Sequence, residues 1–286
     1  MTTAYISAMR GHRVTLFDQR SVLGGQINYA VKIPGKQEFN EVLRYNRVML
    51  AKYGVELKLG QAVDHETLIS GNYDSVVLAT GVRPRALELE GGDHAKVLSY
   101  LDVLDEECLV GQKVAVIGAG GIGIDVAHYL TAQTPFSGDV PEYLQGYGIL
   151  DSEKALALRK PKKREVTVLQ RSTDKIGKRL GKTTGWAHIQ TLKSHGVQLL
   201  TGATYLKIDD AGLHVKVTLN KGEEAQEIVM DVDNVIVAAG QEPRLDLEAS
   251  LCEAGMEVHV IGGAKASLGL DAKTAIKDGA ELAANL

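Results

Sequence analysis

Cysteine is nearly missing from this chain: Cys108 and Cys252 are the only two in 286 residues, and they stand in neither a CxxC nor a Cys/His metal spacing. That excludes a redox dithiol motif and a zinc site on sequence grounds. A cysteine-ligated iron–sulfur cluster needs four thiolates, so this chain cannot hold one by itself. Long apolar runs are missing too, since none approaches 18 residues, and Met1 to Arg13 lack the basic-then-apolar layout of a signal peptide. We therefore expect a cytoplasmic protein with no membrane partner. Charge of one sign is equally scarce: Lys+Arg 32 against Asp+Glu 36 leaves a net charge of −4, with no run that reads as a nucleic-acid patch. With 44% hydrophobic and 24% charged residues and a mean hydropathy of −0.06, the chain is an ordinary folded globular one, long enough for roughly two domains.

Glycine is abundant, at 31 residues against an ordinary share of about 7%, and it gathers at the ends of apolar runs. The runs are short and β-branched: Val14 to Phe17, Val55 to Leu59, Val76 to Ala79, Val114 to Ile117, Val166 to Leu169, Val197 to Leu200, Val235 to Ala238 and Val258 to Ile261. Near-continuous hydrophobic strands alternating with helical patterns predict an α/β fold with parallel sheet covered on both faces. A repeat underlies the order. GHRVTLFDQR (11 to 20), YGVELKLG (53 to 60) and YDSVVLATG (73 to 81) have a second copy in REVTVLQRS (164 to 172), HGVQLLTG (195 to 202) and VDNVIVAAG (232 to 240). Each copy is a nucleotide-binding half whose last strand ends in Ala79-Thr80-Gly81 or Ala239-Gly240. KVAVIGAGGIGIDVAHYL (113 to 130) precedes the second copy, and MTTAYISAMRGH takes the place of its helix in the first. The first domain is thus expected to lack its first strand and glycine turn. Residues 131 to 164 read as a surface connection ending in a solvated basic cluster of Arg159, Lys160, Lys162, Lys163 and Arg164.

Gly118, Gly120 and Gly123 fit GxGxxG directly after a strand and at the opening of a helix, the context that a dinucleotide turn requires. The first glycine permits the turn, the second lets backbone approach a pyrophosphate, and the third lets helix and strand close up; the anion sits on the helix N-terminus. The next strand ends Gln170-Arg171-Ser172 with no carboxylate for a ribose 2′-hydroxyl. Arg171 can pair with a 2′-phosphate, which favours NADPH over NADH, the alternative being a solvated strand-end arginine. In the first copy Asp18 closes the equivalent strand, placed to accept from an adenosine ribose or to stabilise a turn, and Gly24-Gly25-Gln26 follows with backbone open to a cofactor. Gly177 to Thr183 imitates a P-loop but has three residues between its glycines where four are needed, and the eight histidines show no paired metal spacing.

Together VTLFDQRSVLGGQ (14 to 26), IPGK (33 to 36), ATGVRPR (79 to 85), KVLSYLDVL (96 to 104), VIGAGGIGID (116 to 125), LGKTTGW (180 to 186), AGQEP (239 to 243) and VHVIGG (258 to 263) closely resemble the C-terminal flavin/NADPH portion of the bacterial NADPH-dependent 2,4-dienoyl-CoA reductase family. That group lies within the old-yellow-enzyme-like, trimethylamine-dehydrogenase-like fusions, and the likeness covers essentially the whole chain. The resemblance implies an electron path in the oxidation of unsaturated fatty acids: NADPH reduces FAD, and electrons cross a 4Fe-4S cluster to FMN in an N-terminal barrel. That barrel, with its FMN and cluster, is the expected partner, in cis or as a separate chain. Carried over by the resemblance, Asp18, Gln26, Lys36 and Val63 contact FAD. Arg171 and Ser172 hold the NADPH 2′-phosphate, and Gly262, Gly263 and Asp271 return to the flavin before a final helix from Ala272 to Leu286. The expected layout is a flavin domain of residues 1–105 plus 245–286, N-terminally truncated, with an NADPH domain of 106–244 inserted. Hydride transfer from nicotinamide to flavin needs positioning rather than acid–base groups, so no catalytic side chain is assigned. The alternative is an NADPH-binding remnant without FAD or activity.

Overall fold

The computed structural model describes residues 1–105, 108–132, 164–178, 180, 181, 183–218, 224–267, 269 and 271–286. In chain order these form α1 (Thr2–Met9), β1 (Thr15–Asp18), α2 (Ile27–Ala30), α3 (Phe39–Lys52), β2 (Glu56–Leu59), α4 (His65–Ser70), β3 (Ser75–Leu78) and β4 (Val82–Pro84). Next come β5 (Val97–Ser99), α5 (Tyr100–Leu104), β6 (Lys113–Ile117), α6 (Gly121–Thr131), β7 (Glu165–Leu169), α7 (Gly185–Ser194) and β8 (Gln198–Leu200). β9 (Thr204–Asp209), β10 (Gly212–Val217), β11 (Gln226–Met230) and β12 (Asn234–Val237) follow, and β13 (Gln241–Pro243), α8 (Glu248–Glu253), β14 (Glu257–Val260) and α9 (Ala272–Asn285) end the chain. It divides into two units, Met1–Arg85 with Gln241–Leu286, and Ala86–Gly240.

The second unit is built on a five-stranded parallel sheet in the order β5-β12-β6-β7-β8. Its central strands are buried on both faces, with Val114, Ala115, Val116 and Ile117 at 1% exposure or less, which is why they read as unbroken apolar runs. Ser99 and Asp102 start α5 with a reciprocal capping box: the Ser99 hydroxyl accepts from the Asp102 amide and the Asp102 carboxylate from the Ser99 amide. β5 pairs with β12, so the second unit begins near residue 86 rather than at the expected 106, and it ends at Gly240 rather than 244. The expected bounds place the short β5 on the side of the first unit, whereas its strand partner β12 lies at the far end of the second.

A second sheet, antiparallel β11-β10-β9, covers the same core. Leu213, Val215 and Val217 alternate inward with His214 and Lys216 outward, a half-buried strand pattern that the parallel-only expectation did not include. Residues 133–163, with the connection and Arg159, Lys160, Lys162 and Lys163, lie outside the described residues. Arg164 is not a solvated cation as expected. Half-buried, it donates to the carbonyls of Gly111, Leu130 and Val110, and so meets an orphan carbonyl in the last turn of α6.

In the first unit α1 crosses α9 at a glycine. The buried Thr3 hydroxyl donates to the Gly279 carbonyl at 3.1 Å, and a side chain at 279 would come within 2.9 Å of that hydroxyl. α3 turns Leu43, Asn46 and Leu50 inward. The strands form two separate parallel pairs, β2-β1 and β3-β14, and an antiparallel pair β13-β4. By the sequence repeat β1, β2 and β3 correspond to β7, β8 and β12. The second unit's order, β8-β7-β6-β12-β5, is therefore matched by β2-β1, then a gap, then β3-β14. No strand among the described residues of the first unit takes the place of β6.

Candidate functional site

β6 ends at Ile117 and the chain turns sharply into α6. Gly118 has φ of +113°, and a Cβ there would lie 2.5 Å from the Ala238 carbonyl oxygen; only glycine meets both conditions. A Cβ at Gly123 would fall on the Gly118 carbonyl oxygen, so the helix is drawn tightly onto the strand end. Both glycines are thus required by the protein's own packing. Gly120 is not: its φ of −77° and ψ of −173° suit any residue, and a Cβ there meets nothing within 4 Å. Gly121 is equally open. Gly120 caps α6 with no side-chain hydrogen bond, leaving the positive end of the helix to meet an external anion. Space above a bare helix start fits the pyrophosphate of a dinucleotide.

Beside this turn, at the end of the adjacent β7, a second loop is pinned by its own side chains. Gln170 stands where an NAD site offers a carboxylate, and its amide donates to the carbonyls of Ser172 and Asp174. The Asp174 amide donates to the Ser172 hydroxyl at 3.1 Å, and Asp174 in turn holds Lys178 at 2.8 Å. The Gly202 amide closes the loop onto the Ser172 carbonyl. Arg171 is exposed from this fixed loop, close enough to act on Tyr205, whose hydroxyl is pushed up to about 12 by burial with the Arg171 charge opposing. An exposed guanidinium on a braced loop, without a competing carboxylate in its own strand end, suits a phosphate. Gly240, exposed with φ of +120°, ends the unit two residues after the Ala238 that abuts Gly118.

In the first unit Asp18 ends β1 and accepts from the Arg20 amide at 2.9 Å, so it makes the turn that the alternative reading described. The Arg20 guanidinium lies 4.9 Å from the Tyr29 ring centre and contacts its hydroxyl. Gly24 is a packing glycine, hemmed by Leu43 and Asn28, whereas Gly25 has φ of +51°, is exposed and is open above. Gln26 is exposed ahead of α2, and Lys36 is half-buried with its amide on the Ile33 carbonyl. Val63 packs against the cluster of Leu68, Val76, Leu78 and Leu251. Ala79 and Thr80 are exposed after β3. Thr80 and Gly81 are tied to Arg244, whose carbonyl accepts from the Thr80 hydroxyl and whose amide donates to Gly81. Gly262 and Gly263 are buried after β14, with the Gly262 amide on Asp278. Asp271 is exposed as the cap of α9, where the Thr274 amide holds its carboxyl below the usual carboxylate range.

Each candidate therefore lies at the carboxyl end of its strand, except Asp271, Lys36 and Val63, whose visible roles are capping, turn and packing. A counterpart of the Gly118–Gly123 turn is not among the described residues of the first unit. The expected P-loop imitation is a packing feature, with Gly177 against Ile189; Arg179 and Lys182 lie outside the described residues. Sequence reasoning missed Trp186, 73% exposed at the start of α7, and the gathering of His128, His188 and His195 between α6 and α7. Among the described residues no group of three or more His, Cys, Asp or Glu could hold a metal ion, and both cysteines are free. No helix of the described residues is long and apolar enough to cross a membrane.

The sequence profile of the pyridine nucleotide-disulphide oxidoreductase family matches residues 1–267. The metal reductase of Desulforamulus reducens is 27% identical over 91% of the chain, which spans 39% of that protein. The cinnamate reductase of Clostridium sporogenes is 39% identical over 46% of the chain and 20% of its own length. A 2-naphthoyl-CoA reductase structure superposes with a TM-score of 0.81 at 25% identity, covering 100% of this chain and 38% of that one. The chain thus spans about two-fifths of the metal reductase and of the naphthoyl-CoA reductase.

Proposed function

The chain belongs to the pyridine nucleotide-disulphide oxidoreductase family, a flavin-dependent oxidoreductase domain, and from that footing we propose that it is the NADPH-to-FAD electron-entry module of a larger acyl-CoA reductase. The observation that carries this reading is the contrast among three glycines. Gly118 and Gly123 are forced by packing, while Gly120 clears space that no atom of the described residues uses. The second unit would seat the pyrophosphate on the α6 N-terminus and grip the 2′-phosphate with Arg171 and Ser172. In the first unit Asp18, Gly25, Gln26 and Gly81 are the groups with backbone or side chains presented at strand ends for FAD. When bound, the flavin would accept hydride from reduced nicotinamide, a step that asks positioning rather than acid–base groups of the protein.

Acyl-CoA is the favoured final substrate class, with 2,4-dienoyl-CoA the specific choice. The motifs LSYLDVL (98 to 104) and LGKTTGW (180 to 186) support it, as does likeness to a 2-naphthoyl-CoA reductase. The FMN and 4Fe-4S carriers belong to the proposed partner barrel. Calorimetry of the chain with NADPH and NADH tests the first step, and preference for NADH would overturn it. Reduction of 2,4-dienoyl-CoA after assembly with the barrel tests the last; reduction only of another acceptor class would replace the substrate assignment.

A second reading, an NADPH-binding unit that holds no FAD, is favoured by the gap between β1 and β3. The ratio of flavin absorbance to protein in the purified chain separates the two.

A further inference from the structure

In the first unit α1 packs against α9 on one side and α3 on the other. α9 closes on α1 where Gly279 meets Thr3, and α3 reaches α1 through Leu50, which clusters with Ala4 and Leu23. Where the three helices meet they leave a cavity of about 310 Å³. It is lined by Thr2 and Tyr5 of α1, Val42, Tyr45 and Asn46 of α3, and Ile276 of α9. Thr2 and Tyr5 are three residues apart and share a helix face, while Thr3, Ala4 and Ser7 are the buried residues of α1. None of the cofactor candidates lines this cavity.

The lining is mainly apolar, and the buried polar group in it is Asn46. That side chain is 4% exposed. Its NH₂ donates to the Val42 carbonyl at 2.8 Å, which fixes the other end as the acceptor, and its Oδ1 has no hydrogen-bond partner among the described residues. An acceptor buried without a partner is costly, and native structures keep few of them. Tyr5 and Tyr45 add an aromatic corner, with ring centres 5.9 Å apart and planes at 86°. Burial and a hydrogen bond to Tyr45 push the Tyr5 hydroxyl up to about 12, so it stays neutral. Glu41, also at the cavity, is engaged by Arg44 at 2.7 Å. The lining therefore offers an occupant one open acceptor and no unpaired charge. Its volume is about twice the ~150 Å³ that admits a single benzene ring.

We propose that this cavity is a binding site for a neutral, planar, bicyclic aromatic molecule bearing a ring N–H or an O–H, with its ring in the Tyr5–Tyr45 corner and its donor on Asn46 Oδ1. The site is independent of the dinucleotide reading above. An apolar enclosure with one directed polar group is the composition of small-molecule sites. The bond to an otherwise unpaired buried acceptor should separate a donor-bearing ring from its methylated form by about tenfold in affinity.

The test titrates the 286-residue chain calorimetrically with indole and with N-methylindole, which has the same ring and no donor. Indole should bind with a Kd of about 1 mM or tighter, and N-methylindole about tenfold more weakly. Asn46→Leu keeps the volume and removes the acceptor, so the two probes should bind it equally and its melting temperature should not fall. Ile276→Phe fills the cavity without touching Asn46 and should abolish binding of both. Equal affinity of the two probes for the unaltered chain, or no binding of indole at about 10 mM, overturns the site, and these results need no variant to fold. Indole preference that survives Asn46→Leu, or binding that survives Ile276→Phe, overturns it as well.

Discussion

Gly123 lies so close to Gly118 that a single methyl group on the former would occupy the space of the latter's carbonyl oxygen. The start of α6 is therefore fixed against the end of β6 by the absence of a side chain, and the two neighbouring glycines can be told apart by experiment. Gly123→Ala should destabilise the second unit by about 1–3 kcal/mol through overpacking. Gly120→Ala meets no protein atom and has compatible backbone angles, so its melting temperature should stay put. Its NADPH affinity should fall about tenfold or more because the added methyl intrudes on the pyrophosphate seat. Calorimetric melting and NADPH titration of both variants check the pair; full NADPH affinity in Gly120→Ala would remove the main support for the site.

Arg171 offers the second distinction. Gln170 is occupied in holding its loop, and Arg171 stands exposed beside it as a cation for a 2′-phosphate. Arg171→Glu should weaken NADPH by about 10- to 100-fold, the range of a charge-assisted hydrogen bond lost and a repulsion gained, with NADH changed far less. Equal losses for both nucleotides, read by titration, would refute the phosphate role.

Much of this architecture was legible in the sequence, and the exceptions have physical reasons. All eight apolar runs became strands; in the central ones the reason is plain, since strands buried on both faces need continuous hydrophobicity, as Val114 to Ile117 display. The sheet of β9, β10 and β11 was passed over although Leu213, Val215 and Val217 alternate cleanly; a search for unbroken runs does not register a strand with one wet face. β5 has three residues and takes its identity from pairing with β12, which no local pattern carries. The placing of Gly118, Gly120, Gly123 and Arg171 at strand ends was readable, because strand endings and turn glycines are local signals.

Asp233 provides a pH-dependent test of the second unit. The amides of Lys113 and Gln112 both donate to one of its oxygens, at 2.8 and 2.7 Å, and these bonds, with the nearby Lys113 and Lys96 charges, hold its carboxyl below the usual range. A depressed carboxyl contributes stability that is present above the unfolded value of about 3.9 and is lost as pH falls through the lower folded value. Acid unfolding of the unaltered chain should therefore steepen below about pH 4. Asp233→Asn, which keeps an acceptor but cannot titrate, should be less stable at pH 7 and flatter below pH 4. A parallel pair of stability–pH curves, followed by circular dichroism, would show that Asp233 takes no part.

Thr3 and Gly279 give a test of the first unit independent of any ligand. The buried hydroxyl donates across the α1–α9 crossing, so Thr3→Val, which keeps the shape and removes the donor, should cost about 1 kcal/mol through the lost hydrogen bond. Denaturant unfolding would detect it, and an unchanged midpoint would mean the crossing is held by packing alone.

Among the described residues no strand stands between β1 and β3, and the effect on FAD can be tested on these 286 residues alone. Among the described residues each of these strands is paired on one side only, β1 with β2 and β3 with β14, whereas in the second unit β6 bridges the corresponding β7 and β12. A strand edge with open amides and carbonyls invites pairing with other chains, and the unit's counterpart of the pyrophosphate turn is not among its described residues. Asp18, Gly25, Gln26 and Gly81 would then hold the outer parts of FAD without its phosphates. The chain should accordingly bind NADPH through its second unit while retaining FAD well below one per chain, and it should associate as concentration rises. A parallel strand followed by a GxGxxG turn, fused ahead of α1, should fill the slot, supply helix-start amides for the pyrophosphate, and restore both flavin absorbance and NADPH-driven dye reduction. Purification of the unaltered chain as a stable, monomeric, stoichiometric yellow protein would show that β1 and β3 do not need a strand between them and that the FAD phosphates find donors elsewhere.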